Sequence, residues 1–87
     1  MTIDLNNLGT VNKNKVVLWN GTKNVVIIFS YETPVVVYGL GKMVVHQNDW
    51  STTTGKLLNE HEPDKKRRVN HEDFTKFLTE VMEDFSK

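Results

Sequence analysis

The hydrophobic period of the chain changes near residue 50, and this change is the feature that most constrains the fold. Up to that point, short runs of β-branched and aromatic residues alternate with Gly, Asn and Pro, a pattern typical of strands joined by hairpins. Beyond it, apolar residues recur every three or four positions, as they do on one face of an amphipathic helix. We therefore expect residues 1–49 to be β-rich and residues 50–87 to be helical.

Four apolar runs in the first half predict four strands, over residues 16–19, 25–31, 35–38 and 43–46. Asn20-Gly21 lies between the first two runs and favours a hairpin, because both residues tolerate positive φ. Pro34 interrupts the ladder since it has no N–H to donate. Gly39-Leu40-Gly41-Lys42 predicts a second hairpin. An additional edge strand is expected over residues 3–5 or 8–11.

The second half carries a helical stripe. Six apolar residues share one face of the predicted C-terminal helix: Phe74, Phe77, Leu78, Val81, Met82 and Phe85. Asn70 is a favourable N-cap for this helix. A shorter helix is expected to begin after Ser51 and to end before Pro63. We expect Leu57 and Leu58 to face inward from it.

Together these elements predict an α+β fold: a twisted antiparallel β-meander of about four strands followed by two C-terminal α-helices packed on one face. The other face of the sheet would then be partly uncovered, and it would carry Val26, Ile28, Val36 and Tyr38. Uncovered apolar faces and open edge strands are typical partner surfaces, so this face or an edge strand is a candidate surface for a partner or for a homodimer.

Composition restricts the function further. With 87 residues, the chain is expected to form one small domain, residues 1–87. Cysteine is absent, which excludes a disulfide framework and thiolate chemistry. The 11 Lys and Arg balance 11 Asp and Glu, which argues against coating nucleic acid or membrane by bulk charge. No signal-peptide pattern or membrane-length apolar run occurs, so we expect a cytoplasmic protein without membrane contact.

Groups suited to catalysis are scarce. His46, His61 and His71 lie on three different predicted elements with no helical i, i+4 pair, so no metal site is expected. No serine stands in a Gly-x-Ser-x-Gly nucleophile elbow. We therefore expect a protein that is not an enzyme and that uses no cofactor.

Residues 50–56, Trp-Ser-Thr-Thr-Thr-Gly-Lys, are one candidate binding segment. The free N–H groups of a helix start, the hydroxyls and Lys56 suit a phosphate or a carboxylate. The segment is not a P-loop, because Gly-x-x-x-x-Gly-Lys-Ser/Thr is incomplete. The alternative is a Ser/Thr-rich helix start in which Trp50 packs as a hydrophobic staple. Gly55 is unfavourable inside a helix, and local rules are often broken at functional sites.

A second candidate is the basic tetrad, four consecutive cations in a predicted inter-helix loop at residues 64–69. Its members are Lys65, Lys66, Arg67 and Arg68. Such a cluster can clamp nucleic-acid phosphates or an acidic partner surface. The alternative is that it pairs with the acidic face of the following helix. Either way, the net charge of zero conceals a local concentration of positive charge.

Two segments carry a family resemblance. Residues 29–35 are Phe-Ser-Tyr-Glu-Thr-Pro-Val, and residues 50–59 are Trp-Ser-Thr-Thr-Thr-Gly-Lys-Leu-Leu-Asn. In this order they resemble small uncharacterised proteins of tailed bacteriophages and related mobile elements. In that family the Lys is commonly followed by His-Ile-Asn, whereas this chain has Leu57-Leu58-Asn59, so no shared role for a histidine is implied. The family has no established activity, and the resemblance implies only a phage context.

The two segments are expected to meet at one end of the meander. They would form either a polar-aromatic binding patch or a hydrogen-bonded structural corner. The candidate patch residues are Tyr31, Thr33, Trp50, Thr52, Thr53, Lys56 and Asn59. The leading hypothesis is a non-enzymatic phage accessory protein that binds a host macromolecule, with a host protein as partner. The alternatives are a nucleic-acid-binding regulator using the basic tetrad, and a small-anion or nucleotide binder at the Ser51 to Lys56 helix start.

Overall fold

The computed structural model describes residues 2–7, 13–48 and 52–87, and the side chains of residues 13–48 and 54–87. Within these ranges it contains β1 (Thr2–Asn7), β2 (Lys13–Asn20), β3 (Lys23–Ser30), β4 (Thr33–Gly39), β5 (Lys42–Val45), α1 (Thr52–His61), a 3-10 turn (Lys65–Arg67) and α2 (His71–Phe85). Strand order follows chain order, and each strand is antiparallel to the next. The predicted α+β class, an antiparallel meander followed by two helices, is confirmed.

Two local predictions are refined by these bounds. The edge strand expected over residues 3–5 lies within β1, which pairs with β2, while the alternative over residues 8–11 falls outside the described residues. The segment at residues 64–69, expected to be a loop, contains the 3-10 turn Lys65–Arg67. Asp64 caps this turn by accepting a hydrogen bond from Lys66 N at 3.0 Å. The basic tetrad is therefore held in a defined backbone conformation.

Both faces of the sheet are covered, which corrects the prediction of two helices packed on one face. One hydrophobic cluster joins α2 to the strand residues Leu18, Val25, Ile27 and Val37. A second cluster joins α1 to Ile28, Val35, Val36 and Val45. Successive strand residues point to opposite faces, so Ile27 and Ile28 belong to different clusters. Ile28 is 2% exposed and Val36 0%, so the face expected to be open is not available to a second copy.

Tight turns join β2 to β3, β3 to β4 and β4 to β5, and each of these three turns contains at least one residue with positive φ. Gly21 at 63° and Gly41 at 77° suit this conformation because they have no Cβ. Tyr31, in the β3–β4 turn, has φ 56°, and Leu40, in the β4–β5 turn, has φ 51°. Left-handed backbone is strained for such bulky side chains. Both residues are also exposed.

Irregular pairing accommodates Pro34 in the sheet. The register of β3 against β4 shifts between Ile28 and Phe29, and Phe29 then lies opposite Pro34. A local irregularity of this kind is a usual position for proline, which cannot donate to the ladder. The proline therefore marks a bulge within the strand pairing rather than the boundary that the sequence suggested.

Helix α2 follows the predicted pattern closely. Its stripe supplies the buried residues Phe74, Phe77, Val81 and Phe85. Asn70 is its N-cap, accepting a hydrogen bond from Asp73 N at 2.8 Å. At the other end, Asn20 Nδ2 donates to Phe85 O at 2.8 Å, and Lys23 Nζ donates to Asp84 O at 2.6 Å. The β2–β3 hairpin thus satisfies carbonyl groups that a helix C-terminus leaves free.

Candidate functional site

Backbone hydrogen bonds tie together the segments that surround the end of β5. His46 N donates to Val35 O at 2.9 Å, which extends the pairing with β4 beyond the strand. On the other side, Val69 N donates to Val45 O at 2.9 Å, and Gln47 N donates to Val69 O at 2.7 Å. A short parallel bridge therefore joins residue 46 to residue 69, and the basic tetrad is brought to the edge of the sheet.

The buried histidine of this bridge, His46, contacts the exposed His71. His46 is 1% exposed, and its Nδ1 donates to Gln47 O at 2.6 Å, because a carbonyl oxygen can only accept. Its Nε2 lies 3.1 Å from His71 Nδ1, at the start of α2. The rings of His46 and Phe74 are 5.1 Å apart between centroids. This pair was not predicted, since 25 residues separate the two histidines along the chain.

Helix α1 approaches the same edge closely at Gly55. A Cβ at this position would lie 2.9 Å from Asn48 Nδ2, closer than ordinary van der Waals contact. The glycine that lowers helix propensity here therefore leaves room for the Asn48 side chain. This contact gives a physical reason why a residue of low helix propensity occupies this position inside α1.

An open cleft lies between α1, residues 47–48 and the 3-10 turn, with a volume of about 600 Å³. We call it the basic cleft. The described residues that line it are Gln47, Asn48, Gly55, Lys56, Asn59, Lys65 and Arg68. Three of these carry positive charge, three carry side-chain amides, and none of the lining residues within the described ranges is acidic.

Arg68 is held in place at the cleft wall. Its Nε donates to Glu62 O at 3.0 Å, and its guanidinium also donates to Asn59 Oδ1. By contrast, Lys56 and Lys65 are exposed, and neither takes part in an ion pair among the described residues. The cleft thus combines one fixed cation with two cations that are not neutralised by the described part of the fold.

The basic tetrad does not pair with the acidic face of α2 in the described structure. Its ion pair is local, between Arg67 Nε and Asp64 Oδ2 at 4.0 Å. The acidic Asp84 of α2 instead lies 4.0 Å from Lys23. Positive charge therefore stays concentrated around the 3-10 turn.

The structure brings together parts of the two sequence-predicted sites. Lys56 and Asn59, from the expected patch, line the basic cleft with Lys65 and Arg68 of the tetrad, whereas Lys66 and Arg67 do not line it. Tyr31 and Thr33 do not line it either, and both lie at the β3–β4 connection. Trp50 and the side chains of Thr52 and Thr53 lie outside the described residues.

A buried hydrogen bond nevertheless links the two motif segments. Ser30 Oγ lies 2.8 Å from Thr54 Oγ1, and both residues are buried. The strand end and the start of α1 therefore meet as the motifs suggested, through Ser30 and Thr54. Gln47 and Asn48, which also line the cleft, carried no signal in the sequence.

His61 occupies a different environment at the end of α1. Its Nδ1 lies 3.2 Å from Tyr38 Oη, and the two rings meet edge to face. Burial lowers the pKa of His61 below its ordinary value of 6.5, with a smaller opposing effect from the charge of Glu60. Burial therefore shifts the protonation balance of His61 towards the neutral imidazole.

Within the described residues, no group of three or more His, Asp or Glu side chains is arranged to hold a metal ion. None of the described helices is both long enough and apolar enough to cross a membrane. The fold and the cleft together define a small α+β protein with a helix on each face of an antiparallel sheet and a basic cleft at one edge.

The chain belongs to the DUF8033 family, a family of unknown function whose model matches residues 3–76. No curated protein matches the chain. No solved structure matches it either.

Proposed function

We propose that this protein is a small non-enzymatic accessory protein of a tailed phage or related mobile element, and that it binds nucleic acid in the basic cleft. The lining of the cleft carries this proposal: it contains three cations and three amide side chains, and none of the described residues that line it is acidic. Phosphate groups suit such a lining, because cations supply charge and amides donate hydrogen bonds.

Two lysines that form no ion pair among the described residues give the cleft its attraction for an anion. Lys56 projects from α1 and Lys65 from the 3-10 turn, so they approach the cleft from two walls. A cation without a neighbouring opposite charge contributes to the positive surface potential that attracts anions. Arg68 adds a guanidinium whose orientation is fixed by two hydrogen bonds before any ligand arrives.

The shape and polarity of the cleft favour a polymer over a small apolar molecule. Pockets for small organic ligands are mostly apolar, whereas this lining is dominated by charged and amide groups. An open cleft of about 600 Å³ has room for more than a single phosphate. Phosphates along a nucleic-acid backbone would therefore meet several of these donors at once.

Fluorescence anisotropy with labelled oligonucleotides of about 20 residues, at about 50 mM salt, tests the proposal. We expect Lys56→Gln combined with Lys65→Gln to lower affinity about tenfold or more, because two phosphate contacts are lost. Lys76→Gln is the matched control: Lys76 is exposed on α2, outside the cleft lining, and its loss should change affinity by less than about twofold.

Three results would contradict the proposal. The first is no binding by the wild-type protein at low salt. The second is that Lys76→Gln weakens binding as much as the cleft variants do. The third is that a poly-glutamate peptide of equal charge binds as tightly as the oligonucleotide. The last result would favour an acidic host protein as the partner, because a specific phosphate site should discriminate against carboxylates.

A further inference from the structure

The exposed ring of Tyr31 is not explained by the fold. Tyr31 occupies the β3–β4 turn with φ 56°, a conformation that favours glycine or asparagine. The residue is 56% exposed, so the ring adds little to the core to offset the backbone strain. Strain of this kind tends to persist at positions that contact ligands. Tyr31 is therefore a candidate contact residue.

Two hydrogen bonds place the Tyr31 turn beside the basic cleft. Ser30, which precedes Tyr31, bonds to Thr54, which precedes the cleft residue Gly55. Standard chain geometry then keeps the Cα atoms of residues 31 and 55 within roughly 15 Å of each other. In addition, β4 leaves this turn and receives a hydrogen bond from His46 N, directly before Gln47 of the cleft. The ring and the cleft thus lie at the same end of the sheet.

We infer that Tyr31 stacks on a base of a single-stranded nucleic acid whose phosphates lie in the basic cleft. This inference rests on the proposed function. Proteins that bind single strands combine a positively charged groove with aromatic side chains, and every base presents a face on which a ring can stack. A separation of up to roughly 15 Å corresponds to a few nucleotides along one strand.

The same geometry predicts a preference for single strands. Bases within a duplex are already stacked on each other, and only their edges face the grooves. A ring such as Tyr31 has no base face to cover there, whereas a splayed single strand offers one. Single-stranded oligonucleotides should therefore bind more tightly than duplexes of the same sequence.

Variants of Tyr31 test the binding role of the aromatic ring separately from the effect of the strained backbone. Tyr31→Gly removes the aromatic face but relieves the left-handed backbone, so the melting temperature should hold or rise by about a few degrees. Affinity for a single-stranded oligonucleotide should fall about tenfold, the size expected for one stacked base. Tyr31→Phe keeps the ring and should bind within about twofold of wild type. Tyr31→Asn, which also tolerates positive φ, provides a second variant without an aromatic ring.

Leu40→Gly is the matched control. Leu40 has nearly the same backbone conformation and exposure, but its turn lies at the opposite end of β4 from Tyr31. This change should relieve strain in the same way and leave affinity unaltered.

The outcomes distinguish the two proposals. Wild-type binding that Tyr31→Gly and Tyr31→Asn leave unchanged would overturn the stacking role while the basic cleft stands. Equal or tighter binding of duplex would overturn it as well. Absence of wild-type binding to any oligonucleotide would overturn both proposals together.

Discussion

Replacing Gly39 with Ala tests how closely α2 packs on β4. A Cβ built at Gly39 would lie 2.6 Å from Val81 Cγ1 and 3.0 Å from its Cγ2, and Val81 is only 1% exposed. Neither partner can move easily, because one is strand backbone and the other a β-branched side chain in the core. Overpacking of this kind costs about 1–3 kcal/mol. We expect Gly39→Ala to lower the free energy of unfolding by that amount.

Val81→Ala should rescue the change. Alone, it removes two buried methyl groups and costs about 2–3 kcal/mol through lost burial and the cavity left behind. In the double variant both clashing methyl groups of residue 81 are gone. The Cβ of residue 81, which lies 3.4 Å from a Cβ built at Gly39, is then close to ordinary contact. The costs should therefore be less than additive, with a coupling of about 1 kcal/mol or more.

Urea denaturation, monitored by tryptophan fluorescence and circular dichroism, measures these free energies of unfolding. The midpoint should shift while m, the dependence of the free energy on urea concentration, stays constant. Val45→Ala serves as the control partner, because Val45 is equally buried but belongs to the cluster on the α1 face. Its cost should add to that of Gly39→Ala within about 0.5 kcal/mol. A Gly39→Ala variant as stable as the wild type would refute the packing argument. So would losses in the free energy of unfolding that simply add when Gly39→Ala and Val81→Ala are combined.

Three further changes have defined outcomes. Asn20→Ala removes the hydrogen bond to Phe85 O and should lower the free energy of unfolding by about 1 kcal/mol. Urea denaturation of the variant and of the wild type should show this as a lower midpoint with the same denaturant dependence. The pKa of His61 is lower in the folded than in the unfolded chain, so the unfolded chain binds more protons as pH falls. The free energy of unfolding should therefore be at its full value above pH 6.5 and decline as pH falls through that value. Urea titrations at a series of pH values should show a smaller decline for His61→Gln. Gly55→Ala should change stability by no more than about 1 kcal/mol, since helix propensity offsets displacement of Asn48, yet should weaken oligonucleotide binding in the anisotropy assay.

Local patterns predicted the secondary structure well because each depends on neighbouring residues only. The stripe of α2 and its Asn70 cap were both confirmed. Placement of α1 was wrong, although the sequence held a relevant signal. The run at residues 25–29 has no polar position, which is typical of a strand buried on both faces rather than on one. This pattern therefore indicates a sheet covered on both faces, as α1 and α2 cover it.

The basic cleft was less predictable than the fold. Lys56 and Arg68 belong to different motifs, and they meet because residue 69 pairs with the chain beyond β5. That pairing is a long-range backbone contact, and no side-chain pattern encodes it. The close approach of Asn48 to Gly55 had a sequence signal, an unfavourable glycine inside a helix, but the signal did not identify the partner.

The small number of cations in the basic cleft predicts how binding should respond to salt. A protein that engages phosphates through Lys56, Lys65 and Arg68 alone neutralises at most three of them. For single strands this corresponds to a slope of about −2 in log affinity against log salt, or a loss of about 20-fold between 50 and 200 mM. Proteins with six or more phosphate contacts lose about a thousandfold or more. A steeper slope that falls back when Lys66 and Arg67 are replaced by Gln would show that the whole basic tetrad, rather than the cleft alone, contacts the strand.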